Sequence, residues 1–204
     1  NSKSNNIVID NTSLSVESGD SVAITGPSGV GKSTLLNIIS GLDNLDKGEI
    51  FFDDLCFSNL SPSQKTQFRL QNISLVFQSH NLLKDFNVNE NIILPLMYKG
   101  LSKKQAKKIA SESLEHVNMT NHEASSISTL SGGEAQRVGI ARAISMKSKI
   151  ILADEPTGNL DNESSSSILS YLTRICLEKN ITLIVVTHDT NILGLLKNMK
   201  KLID

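Results

Sequence analysis

Nine consecutive residues, 26–34, constrain the fold of this chain more than any other stretch. Their sequence, GPSGVGKST, fits the pattern G-x-x-x-x-G-K-[ST], in which glycines allow backbone N–H groups to approach a polyphosphate. The pattern requires a strand before it and a helix after it. Residues 22–24 (VAI) are an apolar run typical of a buried strand, and apolar residues recur at helical spacing from there to Gly41. The sequence therefore predicts a strand, a phosphate-binding loop and a helix in succession.

The ligand that this loop predicts is a nucleoside triphosphate. The new helix points its positive end at the phosphates, Lys32 is placed to reach the β- and γ-phosphates, and the Ser33 hydroxyl is placed to bind Mg²⁺. A glycine-rich turn that matches the pattern by accident is the alternative, and the two flanking elements argue against it. The predicted contacts in the loop are Gly26, Pro27, Ser28, Gly29, Val30, Gly31, Lys32, Ser33 and Thr34.

The composition excludes some other classes of protein. A length of 204 residues is enough to bury a core in one domain, and a net charge of -1 gives no reason to expect nucleic-acid binding. Cys56 and Cys176 lie outside any metal-type spacing and read as reduced thiols, which suits a cytosolic protein. No apolar stretch reaches the roughly 18–20 residues that span a bilayer, and no signal peptide is visible, so we expect any membrane role to come through another chain.

Apolar strands alternate with helical stretches along the chain, which predicts an α/β fold with a parallel sheet covered on both faces. Helices are predicted to begin near Ser61, at Ser102 and at Ser131, because serine is a favoured helix N-cap. A helical stripe of apolar residues follows over residues 168–175. Further strands are predicted at residues 7–9, 14–16, 49–52, 73–77, 150–153 and 181–186.

Two carboxylates, Asp154 and Glu155, follow one of these predicted strands directly. The carboxyl ends of strands are where ligands of open α/β sheets bind. Successive residues at a strand end point in different directions, so one carboxylate can face a metal ion while the other faces an attacking water. We therefore expect this pair to be catalytic, and a solvated acidic pair is the weaker alternative.

The segment 130–137 (LSGGEAQR) carries a second predicted anion site. Ser131 can cap the helix that follows, and Gly132 and Gly133 leave its N-terminal amides uncovered. Taken alone, this segment fits a capped helix without a ligand equally well.

Taken together, these segments resemble the ATP-binding subunit of ABC transporters, and the resemblance covers nearly the whole chain. It implies a P-loop NTPase fold of the α/β class, with a RecA-like parallel sheet core, an antiparallel β segment and a helical subdomain that carries the signature segment 131–133. The whole chain, 1–204, would then be one nucleotide-binding domain. Its α/β core would comprise residues 1–80 and 146–204, and its helical subdomain residues 81–145.

The resemblance also implies roles for individual residues. Gln78 matches the glutamine that senses the metal and the transmembrane partner, and the signature segment closes over ATP held by the opposite subunit. Residues 158–161 match the loop that crosses between subunits. The implied catalytic residues are Glu155, His188, Gln78 and Lys32. The implied metal ligands are Ser33, Gln78 and Asp154, and the further nucleotide contacts are Ser131, Gly132, Gly133, Gln136 and Asp161.

What the resemblance implies about partners is equally specific. Two copies of the chain would dimerise face to face around two ATP molecules with Mg²⁺, and the dimer would act on integral membrane permease subunits. The chain would be a peripheral protein at the cytoplasmic face of the inner (plasma) membrane, with no span of its own and no nucleic-acid partner. Leu82, Leu83 and Phe86 would form a docking groove for the permease, or else pack inside their own subdomain.

Residues 36–43 and 153–161 look like one branch of this family. The branch includes the lipoprotein-releasing ATPase, macrolide and antimicrobial-peptide exporters, and the cell-division ATPase. Residues 77–86 (FQSHNLLKDF) are most similar to the lipoprotein-releasing member, so lipoprotein release or a related export process is the expected function.

Two other classes of function are weaker. DNA-repair and chromosome-organising ABC ATPases insert long coiled coils between the glutamine and the signature, and the stretch between Gln78 and Ser131 has no sustained heptads. A regulatory subunit that binds ATP without hydrolysing it would not need Glu155 and His188. One departure from the family concerns the adenine base, which usually stacks on an aromatic residue upstream of the loop. Here the first aromatic residue is Phe51, so we expect an aliphatic platform such as Ile7 or Ile9, or a ring in residues that precede Asn1.

Overall fold

A five-stranded parallel sheet forms the centre of the protein, in a computed structural model that describes residues 8–158, 162–188 and 198–201. Its strands stand in the order β4-β5-β6-β1-β7. Their bounds are Ser21–Thr25 for β1, Ile73–Val76 for β4, Ile150–Asp154 for β5, Thr182–Val186 for β6 and Asn198–Lys201 for β7. A separate two-stranded antiparallel sheet pairs β2 (Phe51–Phe52) with β3 (Leu55–Cys56). The predicted fold class, a parallel core with an antiparallel β segment, is confirmed.

The described residues form six α-helices, which are interspersed with these strands along the chain. Their bounds are Lys32–Ser40 for α1, Pro62–Asn72 for α2, Val88–Tyr98 for α3, Lys103–His116 for α4, Gly132–Ser145 for α5 and Asn162–Glu178 for α6. Among the described residues, none of the helices combines the length and the apolar composition needed to cross a bilayer.

Both faces of the parallel sheet are covered, because neighbouring residues of one strand enter different apolar clusters. Ala23 of β1 belongs to a large cluster with residues of α3, α4, α5 and α6, whereas Ile24 belongs to a smaller cluster with Leu36 of α1. The same alternation holds in β6, where Val185 and Val186 enter different clusters. This explains the near-continuous apolar runs that mark these strands in the sequence.

Helix starts follow the local sequence closely. Ser61, Ser102 and Ser131 cap α2, α4 and α5, as predicted, and each forms a reciprocal capping box with the Gln or Glu three residues later. Asn87 caps α3 in the same way. The predicted end of α1 is also confirmed, because Gly41 takes the left-handed conformation, with φ 71°, at its C-terminus.

The N-terminal strands were predicted wrongly. Residues 8–9 form a bend and residues 14–16 are irregular, while Ile7 lies outside the described residues. Leu14 and Val16 instead pack, partly buried, against the smaller apolar cluster, so their apolar character serves side-chain packing rather than a strand ladder. The strand predicted at residues 49–52 is reduced to Phe51–Phe52.

Candidate nucleotide-binding site

The parallel register brings three segments to one edge of the sheet. β1 pairs with β6, and β6 with β5, so that Asp154 stands opposite Val186 and Ile24 also stands opposite Val186. The phosphate-binding loop after β1, the carboxylates after β5 and His188 after β6 therefore all leave the sheet at its carboxyl edge. This is where open α/β sheets bind their ligands.

The phosphate-binding loop enters its helix through Gly31. This residue has φ 101°, and a Cβ on it would lie 3.0 Å from the carbonyl oxygen of Val8. Only glycine fits a position that combines this conformation with so close a backbone neighbour. Among the residues that the structure describes, no side chain caps α1, and its first turn holds no acidic residue. Its N-terminal amides therefore remain available to an anion.

Lys32 is folded over its own loop. It is 7% exposed, and its Nζ donates hydrogen bonds of 2.9 Å to the carbonyl oxygens of Gly26 and Pro27. The ammonium group is thus held within the loop whose phosphate contacts were predicted from the sequence.

Ser33 and Asp154 meet although they lie far apart in sequence. The Ser33 hydroxyl donates a hydrogen bond of 2.9 Å to Oδ1 of Asp154. Burial raises the pKa of Asp154, an effect opposed by the Ser33 hydrogen bond, and the nearby Glu155 also raises it while Lys32 lowers it. A hydroxyl and a carboxylate are hard oxygen donors of the kind Mg²⁺ prefers, and Mg²⁺ is usually held by one or two carboxylates together with substrate phosphates. The donor set therefore fits this ion.

Glu155 is held by both residues that follow β6. Its Oε1 lies 2.6 Å from Nδ1 of His188, and its Oε2 accepts a hydrogen bond of 3.2 Å from the Thr187 hydroxyl. The backbone of Glu155 is in the left-handed region, with φ 44°, and its N–H donates to the carbonyl of Val186. The structure thus brings Glu155 and His188, both expected from the sequence to be catalytic, into direct contact at this edge. Thr187 was missed as a functional residue, although its place between the strand and His188 was visible in the sequence.

Gln78 reaches the same region from the neighbouring strand β4. A Cβ placed on Gly158 would lie 3.9 Å from Nε2 of Gln78 and 3.8 Å from Cβ of Glu155. Gly158 itself closes a turn by donating a backbone hydrogen bond of 3.1 Å to the Glu155 carbonyl. The glutamine amide thus lies beside the turn that follows the two carboxylates.

The signature segment, residues 131–133, sits on a different part of the fold. Ser131 is exposed, and both its backbone N–H and its hydroxyl donate to Oε2 of Glu134 at 2.8 Å. These hydrogen bonds lower the pKa of Glu134. The helix that follows, α5, packs on α3, α4 and β4, whereas α1 packs on β5 and β6. The signature and the phosphate-binding loop are therefore carried by separate parts of the structure.

The structure gives no support to two of the predicted nucleotide contacts, Gln136 and Asp161. Gln136 has an exposed fraction of 0%, and within the described part of the chain its side-chain N and O atoms have no hydrogen-bond partner. A direct contact to nucleotide does not fit this burial, because residue 136 lies on a covered face of α5 with Ile140 and Ala143. Asp161 lies outside the described residues.

The adenine platform expected from the sequence has a structural counterpart beside the loop. Side-chain atoms of Val8 and Ile9 lie 3.0 and 3.1 Å from where a Gly31 Cβ would be. The side chain of Val8 is 49% exposed. Of the residues named as possible platforms, Ile9 is therefore adjacent to the loop, and Ile7 lies outside the described residues.

Known proteins are similar to this chain along most of its length. A family model described as ABC transporter matches residues 9–158. The lipoprotein-releasing system ATP-binding protein LolD of Oleidesulfovibrio alaskensis is 39% identical over 96% of this chain and 85% of its own length, and that of Treponema denticola is 42% identical over 91% and 82%. The methionine import ATP-binding protein MetN of Bartonella henselae is also 42% identical, over 90% of this chain but 53% of its own length.

Solved structures show the same similarity. The dimeric structure of the ATP-binding cassette MJ0796 in a post-hydrolysis state, bound to ADP and Pi, matches with a TM-score of 0.91 and 37% identity. The match covers 96% of this chain and 86% of that one. A second dimeric structure of this bacterial ABC transporter cassette matches equally well.

Proposed function

This chain belongs to the ABC transporter family, and on that premise we propose that it is the ATP-hydrolysing subunit of a transporter that releases or exports lipoproteins. The observation that carries the proposal is the convergence of Lys32, the Ser33–Asp154 pair and the Glu155–His188 pair at one edge of the sheet. This set holds a lysine for phosphates, oxygen donors for a metal ion and a carboxylate for water.

The phosphates would be bound by the open amides of α1 and by Lys32, which exchanges its two carbonyl acceptors for phosphate oxygens. Ser33 and Asp154 would hold Mg²⁺, which when bound offsets the negative charge that develops on the phosphates. The hydrogen bond between these two side chains already places the two oxygen donors side by side. The base would pack on the aliphatic surface of Val8 and Ile9.

Glu155 would act on the attacking water. Its two oxygens are held by Thr187 and His188, so the carboxylate has a fixed orientation before a ligand arrives. The side chain of His188 is 64% exposed, so it can turn from the carboxylate to the γ-phosphate. That movement would free Oε1 to orient the water or accept its proton.

The second half of the site would come from another copy of the chain. Ser131 is exposed at the N-terminus of α5, and this helix packs on other elements than does α1, which follows the phosphate-binding loop. A face-to-face dimer would place Ser131 of each copy over the ATP bound by the other. Binding of ATP would close the dimer and hydrolysis would reopen it.

The membrane partner would be a permease, with this chain bound peripherally at the cytoplasmic face of the plasma membrane. Of the three residues predicted to form the docking groove, Leu83 and Phe86 are 45% and 38% exposed, and they are the surface we propose for docking. Leu82 instead packs, partly buried, against the larger apolar cluster. Lipoprotein release is favoured over methionine import because the LolD relatives are matched over 82–85% of their length and the MetN relative over 53%.

An assay of phosphate release tests the enzymatic part of this proposal. The wild-type chain should hydrolyse ATP with Mg²⁺, Glu155→Gln should not, and Glu112→Gln should resemble the wild type. Glu112 is a suitable control because it lies on the exposed side of α4, 54% exposed. Copurification of the full-length chain with its membrane partner, followed by a lipoprotein release assay in vesicles, tests the substrate. Hydrolysis by Glu155→Gln at the wild-type rate would contradict the proposed mechanism.

A further inference from the structure

The segment that carries Gln78 is held by hydrogen bonds from a side chain of α5, the helix that begins at the signature segment and is called the signature helix below. Arg142, half-buried in the last turn of α5, donates from Nη2 to the carbonyl of His80 and from Nη1 to the carbonyl of Asn81, each at 2.8 Å. The two carbonyls belong to adjacent residues, so the planar guanidinium binds them as a fork. Burial lowers the pKa of Arg142.

Arg142 binds a backbone segment that contains two unfavourable conformations. His80 and Asn81 both have left-handed conformations, with φ 62° and 47°. Such conformations are costly for residues other than glycine and persist where their surroundings enforce them. The turn is closed by two short backbone bonds, from His80 N to Phe77 O at 3.0 Å and from Asn81 N to Ser79 O at 2.7 Å. Gln78 lies inside this turn.

The second half of the same segment is bound by α3. Asn91, 2% exposed, donates from Nδ2 to the carbonyls of Leu83, Phe86 and Asn87, and its Oδ1 accepts from the N–H of Leu83. α3 packs on α5, so the two residues that hold this segment, Arg142 and Asn91, belong to one packed group of helices. The Gln78 amide, in contrast, lies beside Gly158 and Glu155 of the parallel-sheet core.

We propose that Arg142 is a positioning residue, which fixes the distance between the signature helix and Gln78, so that closure of the signature over the ATP of the other copy sets Gln78 at the metal site of its own chain. This inference rests on the proposed function and adds a residue through which one ATP site of the dimer acts on the other. Arg142 would act on hydrolysis through the carbonyls of His80 and Asn81 rather than through a contact of its own with nucleotide or metal. The fork geometry predicts that lysine cannot replace it fully, because one ammonium group cannot bind both carbonyls in the same way.

A double-mutant cycle on the full-length chain tests this inference. Arg142→Met should lower the kcat of ATP hydrolysis roughly tenfold with little change in KM, and Arg142→Lys should lower it less. In the Gln78→Ala background, Arg142→Met should change kcat by less than about twofold, because the residue through which it acts is already gone. Arg174→Met, on the exposed side of α6, is the matched control and should leave kcat unchanged.

Each other outcome has a defined meaning. If Arg142→Met lowers kcat by the same factor in the wild-type and Gln78→Ala backgrounds, the inference is overturned, and Arg142 has only a structural role. If Arg142→Met does not fold, the same cycle with Arg142→Lys decides the question, since it keeps the charge. A wild-type chain that does not hydrolyse ATP would contradict the proposed function and this inference together, whereas an active wild type with independent effects contradicts the inference alone.

Discussion

Nδ1 of His188 lies 2.6 Å from Oε1 of Glu155, and this contact joins the second residue after β6 to the first residue after β5. Glu155 is 9% exposed, and its other carboxylate oxygen accepts a hydrogen bond from Thr187. A group oriented this closely is suited to direct a water molecule, and removing its charge should stop hydrolysis without disturbing the phosphate-binding loop.

Glu155→Gln should therefore reduce ATP hydrolysis at least about a hundredfold and leave ATP affinity close to that of the wild type. Glutamine keeps the shape and can still accept from Thr187, but it cannot take a proton from water. The variant should accumulate as a closed dimer in gel filtration with ATP. Thr187→Val should lower kcat less, because it removes one hydrogen bond to the carboxylate and not the carboxylate itself. A monomeric Glu155→Gln chain that still turns over ATP would contradict this prediction.

Ser131→Arg should abolish ATP-driven dimerisation while the single chain still binds nucleotide. An arginine at the helix N-terminus would fill the space for the partner's phosphates and oppose the helix dipole. Ser102→Arg is the matched control, because Ser102 caps α4 with the same capping box and is exposed. Both variants should lose about 0.5–2 kcal/mol of stability with the cap, and only Ser131→Arg should lose the dimer. Sedimentation with and without ATP separates the two results.

Asp154→Asn should raise the melting temperature of the nucleotide-free and metal-free chain at neutral pH by a few degrees. Burial raises the pKa of Asp154 above its ordinary value, so the folded protein binds this proton more tightly than the unfolded chain does. The stability contributed by that proton is present below the ordinary pKa and is lost as pH rises through the raised pKa of the folded state. The gain from Asp154→Asn should accordingly shrink as pH falls towards 3.8.

The same variant should lose the stabilisation that Mg²⁺ and ATP give to the wild type. Thermal melts between pH 4 and pH 8, with and without the ligands, measure both effects. A variant that melts below the wild type at neutral pH without ligands would show that the Ser33–Asp154 hydrogen bond outweighs the cost of burying the charge.

Phe86→Ala should weaken binding to the membrane partner about tenfold, with small changes in basal hydrolysis and melting temperature. Phe86 is 38% exposed in the free chain, so a partner that covers it would bury apolar area that alanine lacks. Phe51→Ala is the control, since Phe51 is 56% exposed on β2. A large fall in melting temperature with unchanged partner affinity would instead place Phe86 in the packing of its own subdomain.

Val8→Tyr should tighten ATP binding at least about fivefold. Stacking of a base on an aromatic ring is worth about 1–3 kcal/mol in single-stranded nucleic-acid complexes, and Val8 lies half-exposed beside Gly31. Leu42→Tyr, at the far end of α1, introduces the same ring away from the loop and should have no effect. Equilibrium titration with a fluorescent ATP analogue measures both variants.

Local patterns predicted most of the elements that build this site. The strand, loop and helix around Lys32 and the serine caps of α2, α4 and α5 each depend on a few neighbouring residues, so the sequence suffices for them. The burial of Gln136 was also open to prediction, since Ile140 and Ala143 follow it at helical spacing. The prediction of a strand at residues 14–16 was wrong because a strand depends on a partner strand that lies elsewhere in the chain.

The contacts between distant segments could not be predicted from residue patterns. Nothing near Arg142 indicates that it binds carbonyls about 60 residues earlier, because backbone acceptors carry no residue-type signal. The bonds from Thr187 and His188 to Glu155 depend on the sheet register, which fixes which strand ends become neighbours. The domain limits at residues 80 and 145 remain a prediction.

The two hydrogen bonds from Lys32 to Gly26 and Pro27 have a consequence for selectivity. Because the ammonium group already has two neutral acceptors, an incoming ligand gains only the difference between its own bond and the ones it displaces. A neutral ligand gains almost nothing from that exchange, whereas a phosphate replaces two neutral acceptors with negatively charged oxygens and adds the attraction between opposite charges. Lys32 therefore adds little to the binding free energy of an uncharged competitor and favours phosphates, whatever the shape of the base or sugar.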